Sequence, residues 1–497
     1  MSSPVIVGIA QYKQSKNAPE PLDPLGLMTK TAQMALDDSG ISDPSLIIDA
    51  IYMININSWS YQDAPGELAQ HLRLTPRKKV YLSDGGNTPQ MLLNRAAKHL
   101  SQGDIKAVLI TGGECAYSLL REKKGEIKLT WPKKRSPNYM EGQIWAGISH
   151  FVNKYRLSFP PYTYALFETA LRAKEGRSIG EHNHLMGELF EEFSKVAAKN
   201  PYAWSQKAYS AEEIITPFSQ NRYINHPYTK RMCANKFVDL SASLIMTTDA
   251  VANTLNIDKN KQVYLMGGSD LKNIHDITRR PTLYDSPATR IGSKLALEQA
   301  GISLHNINCF DIYSCFPSIV EIISHEMGIP DDDSRPLTLT GGLPYFGGPW
   351  SNYSMHGAVE AVQYVRDHPS AYVMVVANGG YNTKQSFGIY GRNPPKIPWT
   401  ERDDSQIQQS ILKEILEKPM EMAEGELTVE AYTITYDRKG KPKKGLVFGK
   451  LTNGRRTLSL IEGTLEKLSE LEKQELVGRS FTVHYDSEMK LNVITLD

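Results

Sequence analysis

The chain has 497 residues, 40% of them hydrophobic, and 56 basic against 55 acidic side chains give a formal net charge of +1. That length exceeds what one hydrophobic core serves and predicts two or three domains. The even charge balance excludes partners attracted by net charge alone, such as nucleic acid or an anionic membrane, and four cysteines without a C-x-x-C pair exclude a zinc ribbon or disulfide scaffold and fit free thiols in a reducing cytoplasm.

In chain order, "MSSPVIVGIAQYKQ" reads as a buried strand, since its apolar run is short and has no cationic lead. No apolar run approaches the ~18 residues of a membrane span. Residues 31–54 read as an amphipathic helix stopped at Gly40 and followed by a buried strand. Residues 91–114 repeat the pattern: helix, short turn, β-branched strand, then Gly-Gly. A different segment follows over 120–225, with the basic runs "REKKGEIK" and "WPKKRSP", a Pro-Pro turn at Pro160 and helices near 165–176 and 184–199. His182 and His184 lie two apart and so do not share a helix face; both read as surface residues.

The first pattern then recurs. Ala35, Leu36, Gly40, Ile41 and Ser42 are matched in order by Ala296, Leu297, Gly301, Ile302 and Ser303, and residues 359–381 resemble 91–114. Two matches in the same order predict two similar α/β halves. The division is 1–119 with 226–265 for the first half, 120–225 for an insertion, and 266–404 for the second half. A helical linker at 405–424 leads to a tail at 425–497, where six short strands predict a small β barrel. The tail strands lack an aromatic stacking platform with surrounding basic residues, so a packing or substrate-covering role is expected rather than binding of single-stranded nucleic acid. G-x-G-x-x-G, G-x-x-x-x-G-K-[ST] and G-x-S-x-G are absent, and "HEMGI" at His325 lacks a second histidine, so no metal site is expected.

Four loops in fixed order resemble those of the thiolase superfamily: "SDGGNTPQ" (83–90), "YSCF" (313–316), "GGP" (347–349) and "ANGG" (377–380). With "PYTKRMCAN", "TGGLPYFGGP" and the tail, the chain is similar to the branch called thiolase-like protein type 1. The resemblance implies an α/β thiolase fold of two similar βαβαβαββ halves in five layers, with an inserted helical loop region and a small OB-like C-terminal barrel. It also implies a coenzyme A thioester as substrate or ligand, with no permanently bound cofactor. A homodimer is the usual thiolase assembly, and the extra domain leaves a monomer equally open.

Thiolase chemistry needs a nucleophilic cysteine, a second cysteine as acid/base and an activating histidine. The matching positions here hold Gly86, Ala377 and Gly348. Cys315 and His356 remain as catalytic candidates, the latter expected at a helix start where a histidine stays neutral. The bland alternatives are a buried small hydrophobe for Cys315 and a backbone-bonded helix-start residue for His356. Cys115, Cys233 and Cys309 read as packing. Tyr313, Tyr345, Asn352 and Asn378, with the backbone at Gly86, Asn87, Gly347, Gly348 and Gly379, are the candidates for oxyanion and substrate contacts. Lys133, Lys134, Arg135 and Lys230 are candidates for the coenzyme phosphates. Two functions follow: an acyltransferase of the acetyl-CoA C-acetyltransferase type acting in lipid metabolism, or a non-catalytic acyl-CoA or lipid binder.

Overall fold

The computed structural model describes residues 2–142, 148–400 and 402–496. The first half contributes β1 (Pro4–Lys13), α1 (Pro24–Ser39), β2 (Ile48–Met53), β3 (Lys78–Tyr81), α2 (Thr88–Ser101) and β4 (Ala107–Cys115). The insertion adds α3 (Pro160–Lys174), α4 (Ile179–Lys199) and two short strands, β5 (Tyr223–Asn225) and β6 (Tyr228–Thr229). Then come β7 (Asp239–Thr248), β8 (Val263–Lys272), α5 (Pro287–Ala300), β9 (Cys309–Ile312), α6 (Pro317–Met327), α7 (Tyr353–Asp367), β10 (Val373–Gly379) and β11 (Lys384–Gly391).

The duplication is visible in the caps. α1 and α5 each follow a polar N-cap, Asp23 or Ser286, carry a proline in the first turn and end at a glycine, Gly40 with φ 72° or Gly301 with φ 73°. That left-handed conformation costs a glycine little and most other residues considerably more. α1 and α5 both start earlier than the hydrophobic pattern alone suggested, at their prolines. Pro160 and Pro161 likewise open α3 rather than forming a turn, because the first helical turn needs no proline N–H.

The strands form one nine-stranded sheet in the order β3-β2-β4-β7-β1-β8-β11-β10-β9. The two halves meet where Val5 and Ile6 of β1 pair antiparallel with Tyr264 and Val263 of β8. α1 covers the outer face of the first half-sheet through Val5, Val7, Met28 and Ala32. α2 and α7 lie between the half-sheets, where Ile6, Leu92, Val108, Val362 and Val375 share one core. α5 packs on β8 and β11. The result is a layered α–β–α–β–α arrangement.

A helix, α8 (Ser405–Leu412), precedes the tail, which holds β12 (Gly425–Tyr436), β13 (Pro442–Leu451), β14 (Arg456–Glu462), α9 (Leu465–Leu471), β15 (Ser480–Asp486) and β16 (Leu491–Thr495). The barrel thus has five strands, not six. It runs β13-β14-β16-β15-β12 and closes by β12 pairing with β13. β12 also pairs with β5, and β5 with β6, so the insertion extends the barrel sheet. Beneath it, Thr169 of α3 donates its hydroxyl to the Tyr432 carbonyl at 2.9 Å and accepts the Tyr432 N–H at 3.0 Å. Among the described residues no helix is long and apolar enough to cross a membrane.

Candidate functional site

The end of β9, the start of α2 and the end of β10 converge on one point. The Tyr313 N–H donates to the Val376 carbonyl at 2.9 Å, extending the β9–β10 pairing into the loops. A side chain at Gly86 would overlap the Tyr313 hydroxyl and the Asn378 carbonyl. The phenol of Tyr313 therefore occupies the space into which a side chain at residue 86 would project, and Gly86 is required by that close approach. Gly379 is equally confined, since a Cβ there would lie 2.8 Å from Asn87 Oδ1 and 2.9 Å from Gly86 N. Asn87 donates from Nδ2 to Ser386 Oγ at 3.1 Å, while its Oδ1 is buried without a partner.

Cys315 joins this group. It is 6% exposed, and burial pushes its thiol up to about 12. The Tyr164 phenol lies beside both Cys315 and Asn378. Tyr164 sits on α3 and stacks on Phe316, ring centroids 4.7 Å apart and planes at 21°. It comes from the insertion, and no sequence motif flags it. The turn after β10 is strained: Tyr381 and Asn382 take φ of 59° and 56°. Asn382 is fully buried, and its Nδ2 has no acceptor.

His356 is placed differently. It is fully buried in α7, its ring 5.0 Å from that of Phe346. Its Nδ1 is 2.9 Å from Gln11 Oε1, and Gln11 donates from Nε2 to Glu360 at 2.7 Å. Gln11 Oε1 is thus an acceptor, so Nδ1 carries the hydrogen and Nε2 is the bare nitrogen, without a partner. Burial, rather than the helix start, lowers its pKa to about 3. Its partner is a side chain from β1, not backbone. Among the described residues no hydrogen bond joins Cys315 and His356.

The other expected residues disperse. Asn352 donates from Nδ2 to the Gly112 carbonyl at 2.8 Å, leaving Oδ1 orphaned. The buried Tyr345 hydroxyl has no partner, and its ring lies 5.9 Å from that of Tyr209, on the insertion side. The Gly348 N–H is spent on the Asn235 carbonyl at 2.8 Å, and Gly347 faces Val238 and Leu240. Lys133, Lys134 and Arg135 are exposed along the first half, with Lys134 Nζ 4.5 Å above the Trp59 ring, and Lys230 is exposed. Cys115 and Cys309 are fully buried, and Cys233 partly so; all four thiols are free.

His182 is not a surface residue. It is 1% exposed, 2.7 Å from Glu168 Oε1, while His184 stays in solvent. With Glu321 it forms a group whose ligand atoms lie within 4.8 Å of one another, a spacing that suits a metal ion. Arg177 already stands there, donating to Glu321 at 2.7 Å and to His182 Nδ1 at 3.4 Å, and supplies the positive charge.

Residues 406–488 match the family described as thiolase-like protein type 1 additional C-terminal domain. Over its whole length the chain superposes on a monomeric SCP2-thiolase-like protein type 1 from Mycobacterium smegmatis, with 33% identity, a TM-score of 0.85 and 99% of that chain covered. The chain belongs to the SCP2-thiolase-like protein type 1 family. A sterol carrier protein 2 from Bos taurus is 26% identical over 365 residues, 69% of this type 1 chain. The chain spans 60% of the length of that curated relative. Human mitochondrial 3-ketoacyl-CoA thiolase, solved in complex with CoA, shares the fold at 14% identity and a TM-score of 0.55, over 78% of the type 1 chain and 98% of its own.

Proposed function

We propose that the chain binds a coenzyme A thioester at the Gly86–Tyr313–Cys315–Asn378 cluster without running thiolase carbon–carbon chemistry. One observation carries this: a side chain at residue 86, the position matched to the thiolase nucleophile, would overlap the Tyr313 phenol and the Asn378 carbonyl. The loops keep their backbone approach to a ligand while the groups that break carbon–carbon bonds are gone. The unpartnered buried polar atoms of Asn87 and Asn382 suit the amide and carbonyl groups of such a ligand. Isothermal titration with CoA and acetyl-CoA tests the reading. Saturable binding that Asn378→Leu weakens supports it, and no heat at millimolar ligand removes it.

The Tyr164 phenol and the Asn378 amide beside the Cys315 thiol favour a second reading, acyl transfer of the acetyl-CoA C-acetyltransferase type. The thiol would attack the thioester carbonyl, the Cys315 S–C bond would form as the coenzyme S–C bond breaks, and the thiol proton would leave on the coenzyme sulfur. Intact mass after incubation with acetyl-CoA decides: an acetyl adduct lost in Cys315→Ser supports transfer, and its absence leaves the binding protein. We further read the molecule as a monomer, following its Mycobacterium smegmatis relative, with gel filtration as the check.

A further inference from the structure

Three cations gather around the turn that links β10 to β11, and among the described residues none of them forms an ion pair, although Asp84 and Asp276 lie in electrostatic reach. Lys384 opens β11 and pairs in register with Lys272 at the end of β8. Like charges directly opposite on antiparallel strands repel, so this arrangement costs stability unless something compensates it. Lys384 is partly buried, and its Nζ donates to the backbone carbonyl of Asp84 at 3.0 Å, beside Gly85 of the first loop. Arg280 is 4% exposed. Its Nη2 donates to Thr383 Oγ1, and its Nε to the Ile274 carbonyl, both at 2.8 Å. These acceptors are neutral.

Among the described residues, none of Lys272, Arg280 and Lys384 has a carboxylate within 4.0 Å. The acids that face them are otherwise engaged: Asp84 Oδ1 accepts from Asn57 at 3.0 Å, and Asp276 Oδ1 accepts the Thr278 N–H at 3.0 Å. His275 lies among the three cations, whose charges lower its pKa along with burial. A guanidinium removed from water without a counter-charge is expensive, and burial lowers the pKa of Arg280 to about 10. On one side Arg280 lines an outer cleft with Asn273 and Thr282; on the other it is in electrostatic reach of Tyr164. Asn382, on the same turn, offers a buried amide donor without an acceptor. Asp285 and Glu414 also line the outer cleft, but on the turn itself the Asn382 amide donor and the three cations together complement an oxyanion.

We propose that Arg280, Lys384 and Lys272 form a subsite for one anionic group, a carboxylate or a phosphate, carried by the ligand of the neighbouring loop cluster. The proposal rests on reading that cluster as a thioester site. A carboxylate would come from the acyl chain and a phosphate from the coenzyme. The subsite lies on the second half, away from the exposed lysines of residues 133–135.

The test is isothermal titration of the full chain with inorganic pyrophosphate, succinate, CoA and S-acetylpantetheine. Lys384→Met is expected to weaken the anion probe about tenfold and the exposed Lys272→Gln about threefold, with Lys384→Arg retaining most of the affinity. Pyrophosphate and CoA weakening together while S-acetylpantetheine is unchanged assigns a phosphate. Succinate weakening while CoA is unchanged assigns a carboxylate. The proposal is overturned if the wild type binds neither pyrophosphate nor succinate, or if both variants bind them as the wild type does. Anion binding that depends on Lys384, alongside no binding of CoA or S-acetylpantetheine, keeps the subsite and removes the thioester reading instead.

Discussion

Two buried polar clusters flank Cys315, and they are built on opposite terms. On one side Glu168 accepts from the Tyr228 hydroxyl at 2.6 Å, the Ser318 N–H at 2.8 Å and the His182 ring at 2.7 Å. Both of its oxygens and both nitrogens of His182 are used, and among the described residues the one unmet atom on this side is Oε1 of the adjoining Glu321. On the other side, Asn87 Oδ1 and Asn382 Nδ2 have no partner, and neither does the bare Nε2 of the more remote His356. A satisfied buried network rigidifies its surroundings, whereas orphaned groups carry a desolvation cost that a ligand can repay. The Glu168 network caps α6 and so fixes the loop holding Cys315, beside which the loop cluster keeps its polar atoms unmet.

Breaking the satisfied side produces the largest effect. Glu168→Leu strands a phenol, a helix N-terminal amide and an imidazole, and is expected to cost about 3–5 kcal/mol in urea unfolding. If the two clusters differ as described, Asn87→Leu costs far less in the same experiment. Acid sharpens the contrast next. The imidazole of His356 titrates near 6.5 when unfolded and at about 3 when folded. Between those values the unfolded chain holds the extra proton, so stability falls as pH falls, by about 1.4 kcal/mol per pH unit for that one proton. His226, lowered to about 3 by burial and Arg172, acts with the same sign. The difference between wild type and His356→Gln in unfolding free energy from pH 7 to 4 isolates the His356 share, and the variant is expected to show the shallower slope.

Gly86→Ala probes the crowding on the open side. Its Cβ meets the Tyr313 phenol, and the expected loss is about 1–3 kcal/mol by thermal unfolding. In Gly86→Ala with Tyr313→Ala the combined loss is expected to be smaller than the sum, because removing the phenol relieves one of the two overlaps and leaves that with the Asn378 carbonyl. The smallest effect belongs to a residue outside both clusters. Lys134→Ala, which gives up an exposed contact with Trp59, is expected to change stability by no more than about 1 kcal/mol and to leave anion affinity unchanged.

The repeated helix–glycine–strand units were legible because their signals are local: Gly40 and Gly301 stop helices by backbone geometry alone. The four loops were legible as motifs, and Gly86, Asn87, Tyr313, Cys315, Asn378 and Gly379 do gather. Tyr164 was not, since its approach to Cys315 depends on how α3 packs, which no short motif encodes. His182 was misread for the same reason. Its helix face is set by Glu168, fourteen residues upstream on another helix. His356 was placed correctly at the start of a helix, but its partner, Gln11, lies 345 positions away on β1. The tail forms five strands rather than six, and its remaining regular element, residues 465–471 after the N-cap Thr464, is the helix α9.

The joining of β12 to β5 has a consequence for synthesis. Residues 223–225 leave the ribosome long before residue 435, so the edge of that sheet and the Thr169 face of α3 wait uncovered until β12 emerges. A chain that stops short of β12 would leave the Asn225 edge unpaired and the Thr169 hydroxyl without its Tyr432 partners.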